Sequence, residues 1–174
     1  MIPISHQTGL PSAVGSDSNR TAMDSALKLL SFRARSENEL SDRLGQKGFS
    51  PEVITSVLGR LRELGLINDK NLARDLVDIQ RRSGRGDHRI RRELIKRGVP
   101  GGEVTQAMAE RGENEADRAW DCLQKRAPRL KGLDRDRAYR RLHGYLIRQG
   151  FGIDETSRAL RRFFSGEPEE GAEP

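Results

Sequence analysis

The chain is expected to be all-α, built as three tandem three-helix repeats that form an elongated, curved array. Three observations carry this expectation. A ten-residue pattern occurs three times without gaps: Leu40-Ser-Asp-Arg-Leu44-Gly-Gln-Lys-Gly48-Phe49, Ile90-Arg-Arg-Glu-Leu94-Ile-Lys-Arg-Gly98-Val99 and Leu142-His-Gly-Tyr-Leu146-Ile-Arg-Gln-Gly150-Phe151. Its glycines lie 50 and 52 residues apart, and self-similarity at such a period is the mark of a tandem architecture. The apolar content is thin: Leu, Ile, Val and Phe make up 22% of the 174 residues and aromatics 5%. That suffices for several narrow cores and argues against one deep enzyme pocket. Finally, no β-like alternation of apolar and polar residues stands out anywhere.

The elements follow in order. Residues 1–20 are rich in Ser, Gly and Pro and are expected to be a disordered N-terminal segment. The first repeat, 21–66, opens with a helix from about Asp24 to Ala34 that carries Ala26, Leu27, Leu29, Leu30 and Phe32. Ser36-Glu-Asn-Glu39 is a capping box and starts the second helix. Its stripe, Leu40 and Leu44, stops at Gly48, an αL position that suits a residue without Cβ. Phe49 then folds back onto the helix end, and Lys47 in the last turn complements the helix dipole. Ser50-Pro51 reads as N-cap and first helical residue of a third helix, with Val53, Ile54, Val57, Leu58 and Leu61 as its apolar stripe.

The second repeat, 67–112, repeats this plan. Asn68-Asp69 opens a helix with Leu72, Ala73, Leu76, Val77 and Ile79; the stripe Ile90–Leu94 ends at Gly98; and Val104, Ala107 and Met108 mark the third helix. The third repeat, 113–165, has Ala116, Ala119, Trp120 and Leu123, then Leu142 and Leu146 ending at Gly150, then Thr156, Ala159 and Leu160. Thr156 is the one polar member of the pattern. Trp120, Phe49 and Phe151 are read as packing residues, and Cys122 as a small, partly buried one. Residues 166–174 form an acidic tail, expected to be disordered.

Charge is distributed unevenly. The net charge is +6, and the four acids of the tail are included in it, so residues 1–166 carry +10. Two stretches hold most of the excess. Eight bases lie between Arg81 and Arg97 against Asp87 and Glu93, and nine between Lys125 and Arg148 against Asp134 and Asp136. Such clusters are the footprint of a polyanionic partner. Arg89, Arg92 and Lys96 fall at i, i+3 and i+7, on one side of a helix. Arg137, Arg140, Arg141 and Arg148 lie likewise beside Leu142 and Leu146. With Arg81, Arg82 and Arg85 these are the candidate binding residues. Tyr139 and Tyr145 flank the basic helices and are weaker candidates for partner contact.

Several function classes are excluded. No apolar run of about 18 residues exists, so no membrane helix is expected. The N-terminus lacks the basic start and apolar stretch of a secretory signal. Cys122 is the single cysteine, which suits the reducing cytoplasm. His6, His88 and His143 lie far apart with no second cysteine, so no metal is expected. No Gly-rich phosphate loop and no paired catalytic groups appear. Neither a cofactor nor an enzymatic activity is expected.

Ala26-Leu-Lys-Leu-Leu30, Arg35-Ser36 and Leu40-x-x-x-Leu44-x-x-Lys47-Gly48-Phe49 resemble the opening of RecX-family regulatory proteins. The connector Leu64-Gly65-Leu66-Ile67-Asn68-Asp69 followed by Ala73 is similar too, as are the Ile90–Val99 segment and Gln149-Gly150-Phe151. The resemblance spans about residues 24–164. Asn68 stands where the family often has Asp, and Gln149 where a basic residue is common. The resemblance implies a non-enzymatic modulator, usually an inhibitor, of the RecA recombinase. Such a protein lies in the groove of the RecA–single-stranded DNA filament. It restrains ATP hydrolysis, strand exchange and the co-protease activity that triggers LexA self-cleavage. The implied partners are the RecA filament and single-stranded DNA, with non-specific duplex contact and no membrane; a monomer is expected. The competing reading is a helix-turn-helix transcription regulator. It would need base-reading side chains on one dominant helix, and only Gln106 and Asn114 lie near a candidate.

Overall fold

The computed structural model describes residues 14–110, 114–130 and 132–165. Among these, nine α-helices and one 3₁₀ turn account for all the regular structure, and there is no strand. The expected all-α architecture of three-helix repeats is what the chain adopts. The described residues divide into two compact units at the Asn68–Asp69 boundary.

The first unit holds α1 (Val14–Phe32), α2 (Glu37–Gln46) and α3 (Pro51–Glu63). Its core is Ala22, Ala26, Leu40, Leu44, Ile54, Val57, Leu61 and Ile67. Small residues at positions 22 and 26, one turn apart, let α1 lie close on the other two helices. α1 begins upstream of the expected start, so residues 14–20, read from sequence as disordered, are helical. Extending an anchored helix costs far less than nucleating one, and Ala22 and Ala26 supply the anchor. Residues 1–13 and the acidic tail lie outside the described residues. The contact stripe is shifted accordingly: Leu27 and Phe32, expected to pack, are 41% and 75% exposed.

The expected caps are present. Ser36 Oγ accepts from the Glu39 N–H at 3.1 Å, and the Glu39 carboxylate receives Arg33 and Arg35. Ser50 Oγ accepts from the Val53 N–H, with Pro51 in the first turn of α3.

The second unit contains two repeats. One is α4 (Asp69–Arg82), α5 (Asp87–Lys96) and α6 (Gly101–Ala109); the other is α7 (Glu115–Arg126), the 3₁₀ turn Ala127–Leu130, α8 (Arg135–Gln149) and α9 (Ile153–Ser165). Each has its own core. Leu72, Ala73, Leu76, Val77, Ile90, Leu94, Val99, Val104, Ala107 and Met108 form the first. Ala119, Cys122, Leu123, Leu142, Leu146, Phe151, Ala159 and Leu160 form the second. Ile79, expected in the α4 stripe, is 56% exposed. Trp120 is half-buried, edge-on to Phe163 at 5.8 Å. Thr156 is fully buried at its core position.

The repeated pattern folds the same way three times. Gly48, Gly98 and Gly150 have φ of +87°, +74° and +90°. The N–H of the following residue donates to the carbonyl of Leu44, Leu94 or Leu146, and the glycine N–H to that of Gly45, Ile95 or Ile147. This is a Schellman closure, which satisfies otherwise orphaned carbonyls at the helix end.

At Gly150 the closure has a second task. The end of α8 meets the start of α5: the Gly86 N–H donates to Gln149 O (3.0 Å) and the His88 N–H to Gly150 O (3.1 Å). The carbonyl-rich end of one helix thus faces the amide-rich start of another. A Cβ at Gly86 would lie 2.1 Å from Phe151 N, and one at Gly150 2.4 Å from Arg89 Cβ. Polar side chains complete the junction. Glu115 accepts from the Asp87 N–H at 2.8 Å, Asp87 receives Arg118, and Arg85 donates to Gln149 Oε1. Burial pushes the Glu115 carboxyl up from its ordinary value.

Candidate binding surfaces of the second and third repeats

Ten basic residues were singled out by sequence, and the structure sorts them by whether their charge is already engaged. Arg81 is only 7% exposed. Its Nη2 donates to Met108 O at 3.0 Å, tying the end of α4 to α6, and its Nε lies 3.9 Å from Asp87 Oδ1. Arg81 is thus a buried side chain tied into the fold. The reason is helical phase: it continues the buried side of Leu76 and Val77, four to five residues on. Arg85 is half-buried and held by Gln149, so this glutamine serves the junction. Arg89 is turned toward the same junction, donating to Arg148 O at 3.3 Å. Arg137 pairs with Asp134 at 3.1 Å.

The others face outward. Arg82 in the last turn of α4 and Arg91, Arg92 and Lys96 on α5 are exposed. Ile95 stands among them, 64% exposed. Of the i, i+3, i+7 row, then, Arg92 and Lys96 are available and Arg89 is partly committed.

On α8, Arg140, Arg141 and Arg148 converge. With Arg126, Leu130 and Tyr145 they line an open cavity of about 430 Å³. α8 is fifteen residues long against ten for α2 and α5, and Arg140 and Arg141 lie toward the middle of it. Arg126 comes from the last turn of α7, its guanidinium 5.4 Å from the centre of the Tyr145 ring. The Arg148 guanidinium lies over Gly144, with Nη1 3.1 Å from where a Cβ would stand. Among the described residues, no acidic side chain forms an ion pair with any of these four arginines. Sequence reasoning counted Arg126 in the basic stretch but not among the binding residues. Only tertiary packing brings the end of α7 onto α8, although the charge of that last turn hinted at it.

Other chemistry is sparse. No group of three or more His, Cys, Asp or Glu among the described residues could hold a metal ion. Cys122 is buried, its Sγ 3.5 Å from Gly84 O, and burial pushes its thiol up, away from the reactive thiolate. No helix among the described residues is long and apolar enough to cross a membrane. Both candidate base-reading amides are engaged locally: Gln106 donates to Glu110 at 2.7 Å, and Asn114 Oδ1 caps α7 at the Ala116 N–H.

Comparison with known proteins agrees with this architecture. Residues 22–61, 68–108 and 113–160 match the family models for the first, second and third three-helix domains of RecX. The chain is 36% identical over 150 residues to regulatory protein RecX of Prosthecochloris aestuarii, covering 83% of this chain and 95% of that one. It is 36% identical over 142 residues to regulatory protein RecX of Pseudomonas syringae pv. tomato, covering 81% and 88%. The crystal structure of RecX from Lactobacillus salivarius superposes with a TM-score of 0.75 at 22% identity, over 86% of this chain and 99% of that one. Three domain matches in order and relatives spanning most of both chains show that this chain belongs to the RecX family of regulatory proteins.

Proposed function

We propose that this protein binds the RecA–single-stranded DNA filament and restrains its recombinase, ATPase and LexA co-protease activities. It acts as a cytoplasmic monomer, without cofactor and without catalysis of its own. One observation supports this above others: Arg92 and Lys96 on α5 and Arg140, Arg141 and Arg148 on α8 are exposed and form no ion pair with an acidic side chain among the described residues, whereas Arg81, Arg85 and Arg89, between the two repeats, are tied into structure. Unpaired bases on successive repeats suit an extended polyanionic partner, for which affinity is electrostatic and sequence-independent. Membership of the RecX family supports reading that partner as the RecA–single-stranded DNA filament. The transcription-regulator reading loses ground, because Gln106 and Asn114 are engaged within the fold.

The test is a titration of the protein into RecA–single-stranded DNA–ATP, following ATP hydrolysis and LexA cleavage. Both should fall at micromolar protein or below. Arg92→Glu/Lys96→Glu should weaken the effect with helicity unchanged. No effect of the unaltered protein on either readout would refute the proposal.

A further inference from the structure

We infer that the cavity between α7 and α8 of the third repeat binds oligophosphate, and that its ligand is the backbone of a single nucleic-acid strand. This deepens the filament reading, on which it rests, by assigning one surface to the DNA rather than to the recombinase. Four guanidinium groups, Arg126, Arg140, Arg141 and Arg148, line one concavity. Arginine stays charged at any physiological pH, so these groups repel one another, and no lining residue is acidic. A ligand carrying several negative charges relieves that repulsion; a single carboxylate relieves little of it.

The contrast within the chain is direct. Arg74, Arg97, Arg118, Arg137 and Arg162 each have a carboxylate partner. Arg137 sits one turn from Arg140 on the same helix and is neutralised by Asp134. The cavity arginines are supported by other means. Arg126 rests on the face of Tyr145, which leaves the edge donors of its planar fork for a second partner. Arg148 lies where Gly144 offers no side chain. A glycine inside a helix is less favourable than alanine, and its absent Cβ is what makes room here.

Guanidinium forks match phosphate and carboxylate equally well, so the surroundings decide between nucleic acid and protein. A protein interface needs a desolvated apolar anchor at its centre. The cavity offers only Leu130 and Tyr145, both half-buried against the core of their own repeat. α5 differs: Ile95 projects between its bases, a mixed surface better suited to protein. A polynucleotide strand supplies a charge at every unit and needs no such anchor.

The experiment uses the full chain without recombinase. Binding of a fluorescein-labelled oligo-dT strand is followed by anisotropy across a salt series. The unaltered protein is compared with Arg140→Gln/Arg148→Gln and with the α5 pair Arg92→Gln/Lys96→Gln, all four being exposed side chains. The cavity pair should lose about tenfold or more in affinity. The slope of log K against log salt should fall in magnitude by about 1.4, which corresponds to two single-strand phosphate contacts. The α5 pair should change much less. No binding by the unaltered protein, an unchanged slope in the cavity pair, or a larger loss in the α5 pair would each overturn the assignment. Tripolyphosphate is the other source of the same chemistry. Displacement of the strand by it at micromolar concentration would assign the cavity to free oligophosphate and overturn the strand as ligand. Because RecA is absent, strand binding that survives alongside unaffected RecA ATPase would sink the filament reading alone.

Discussion

Replacing Gly150 with alanine should destabilise the protein markedly more than the same change at Gly48, although both glycines close equivalent helices. Each sits in the left-handed region, at φ +90° and +87°, where a Cβ costs roughly 1–2 kcal/mol. That term is common to both variants. At Gly48 a Cβ would meet nothing within 4 Å, so the conformational cost is the whole cost. At Gly150 it would stand 2.4 Å from Arg89 Cβ and 2.7 Å from Arg89 N. Backbone must move, and the bonds from Gly86 N to Gln149 O and from His88 N to Gly150 O are strained or lost. At about 0.5–1.5 kcal/mol each, they add about 2 kcal/mol. For a chain of this length 1 kcal/mol corresponds to roughly 2–4 °C in Tm, so Gly150→Ala should melt about 6 °C below Gly48→Ala. Thermal unfolding followed by circular dichroism measures both, and amide exchange at Gly86 and His88 reports on the junction itself. Equal melting temperatures, or unchanged protection at those two amides, would refute the junction as a source of stability.

The neighbours Arg81 and Arg82 should behave oppositely: Arg81→Ala should cost roughly 2 kcal/mol through its lost charged hydrogen bond to Met108 O, and Arg82→Ala, on the surface, less than about 0.5, both read by urea unfolding. Thr156 is fully buried and its hydroxyl has no hydrogen-bond partner among the described residues, so Thr156→Val should stabilise the protein by about 1 kcal/mol; a lower melting temperature would contradict this. The hydrogen bond from Arg74 beside Glu110, helped by the Gln106 amide, holds that carboxyl down at about 2. A depressed carboxylate pKa stabilises fully above the unfolded value near 4.3 and loses that contribution as pH falls through about 2. An NMR titration should therefore find Glu110 well below the ordinary carboxylate range, and Arg74→Met should return it there. Cys122 should react slowly with a thiol reagent in the native protein and fast after unfolding, in line with its buried, raised thiol.

Much of the fold was legible in the residues because its devices are local. Leu44–Gly48–Phe49, Leu94–Gly98–Val99 and Leu146–Gly150–Phe151 each encode a helix end within six residues, and all three close as expected. Ser36 and Ser50 announced their helices through the first-turn amides they accept. Where the reading failed, the deciding contact came from elsewhere. Residues 14–20 look unstructured in composition and are helical because Ala22 and Ala26 anchor the helix that follows. Phe32 and Ile79 look like core residues and are exposed.

The binding face shows the same division more sharply. The sequence alone determined that positive charge gathers in the second and third repeats, since charge and helical period are properties of the chain read in order. It did not determine which charges are available. Arg81 is spent on Met108, 27 residues away, Arg85 on Gln149, 64 away, and Arg89 on Arg148, 59 away. Arg126 joins Arg140, Arg141 and Arg148 only because the end of α7 packs beside α8. Availability is a matter of burial and partner, both set by contacts between distant residues, and for these arginines only the tertiary structure decided it.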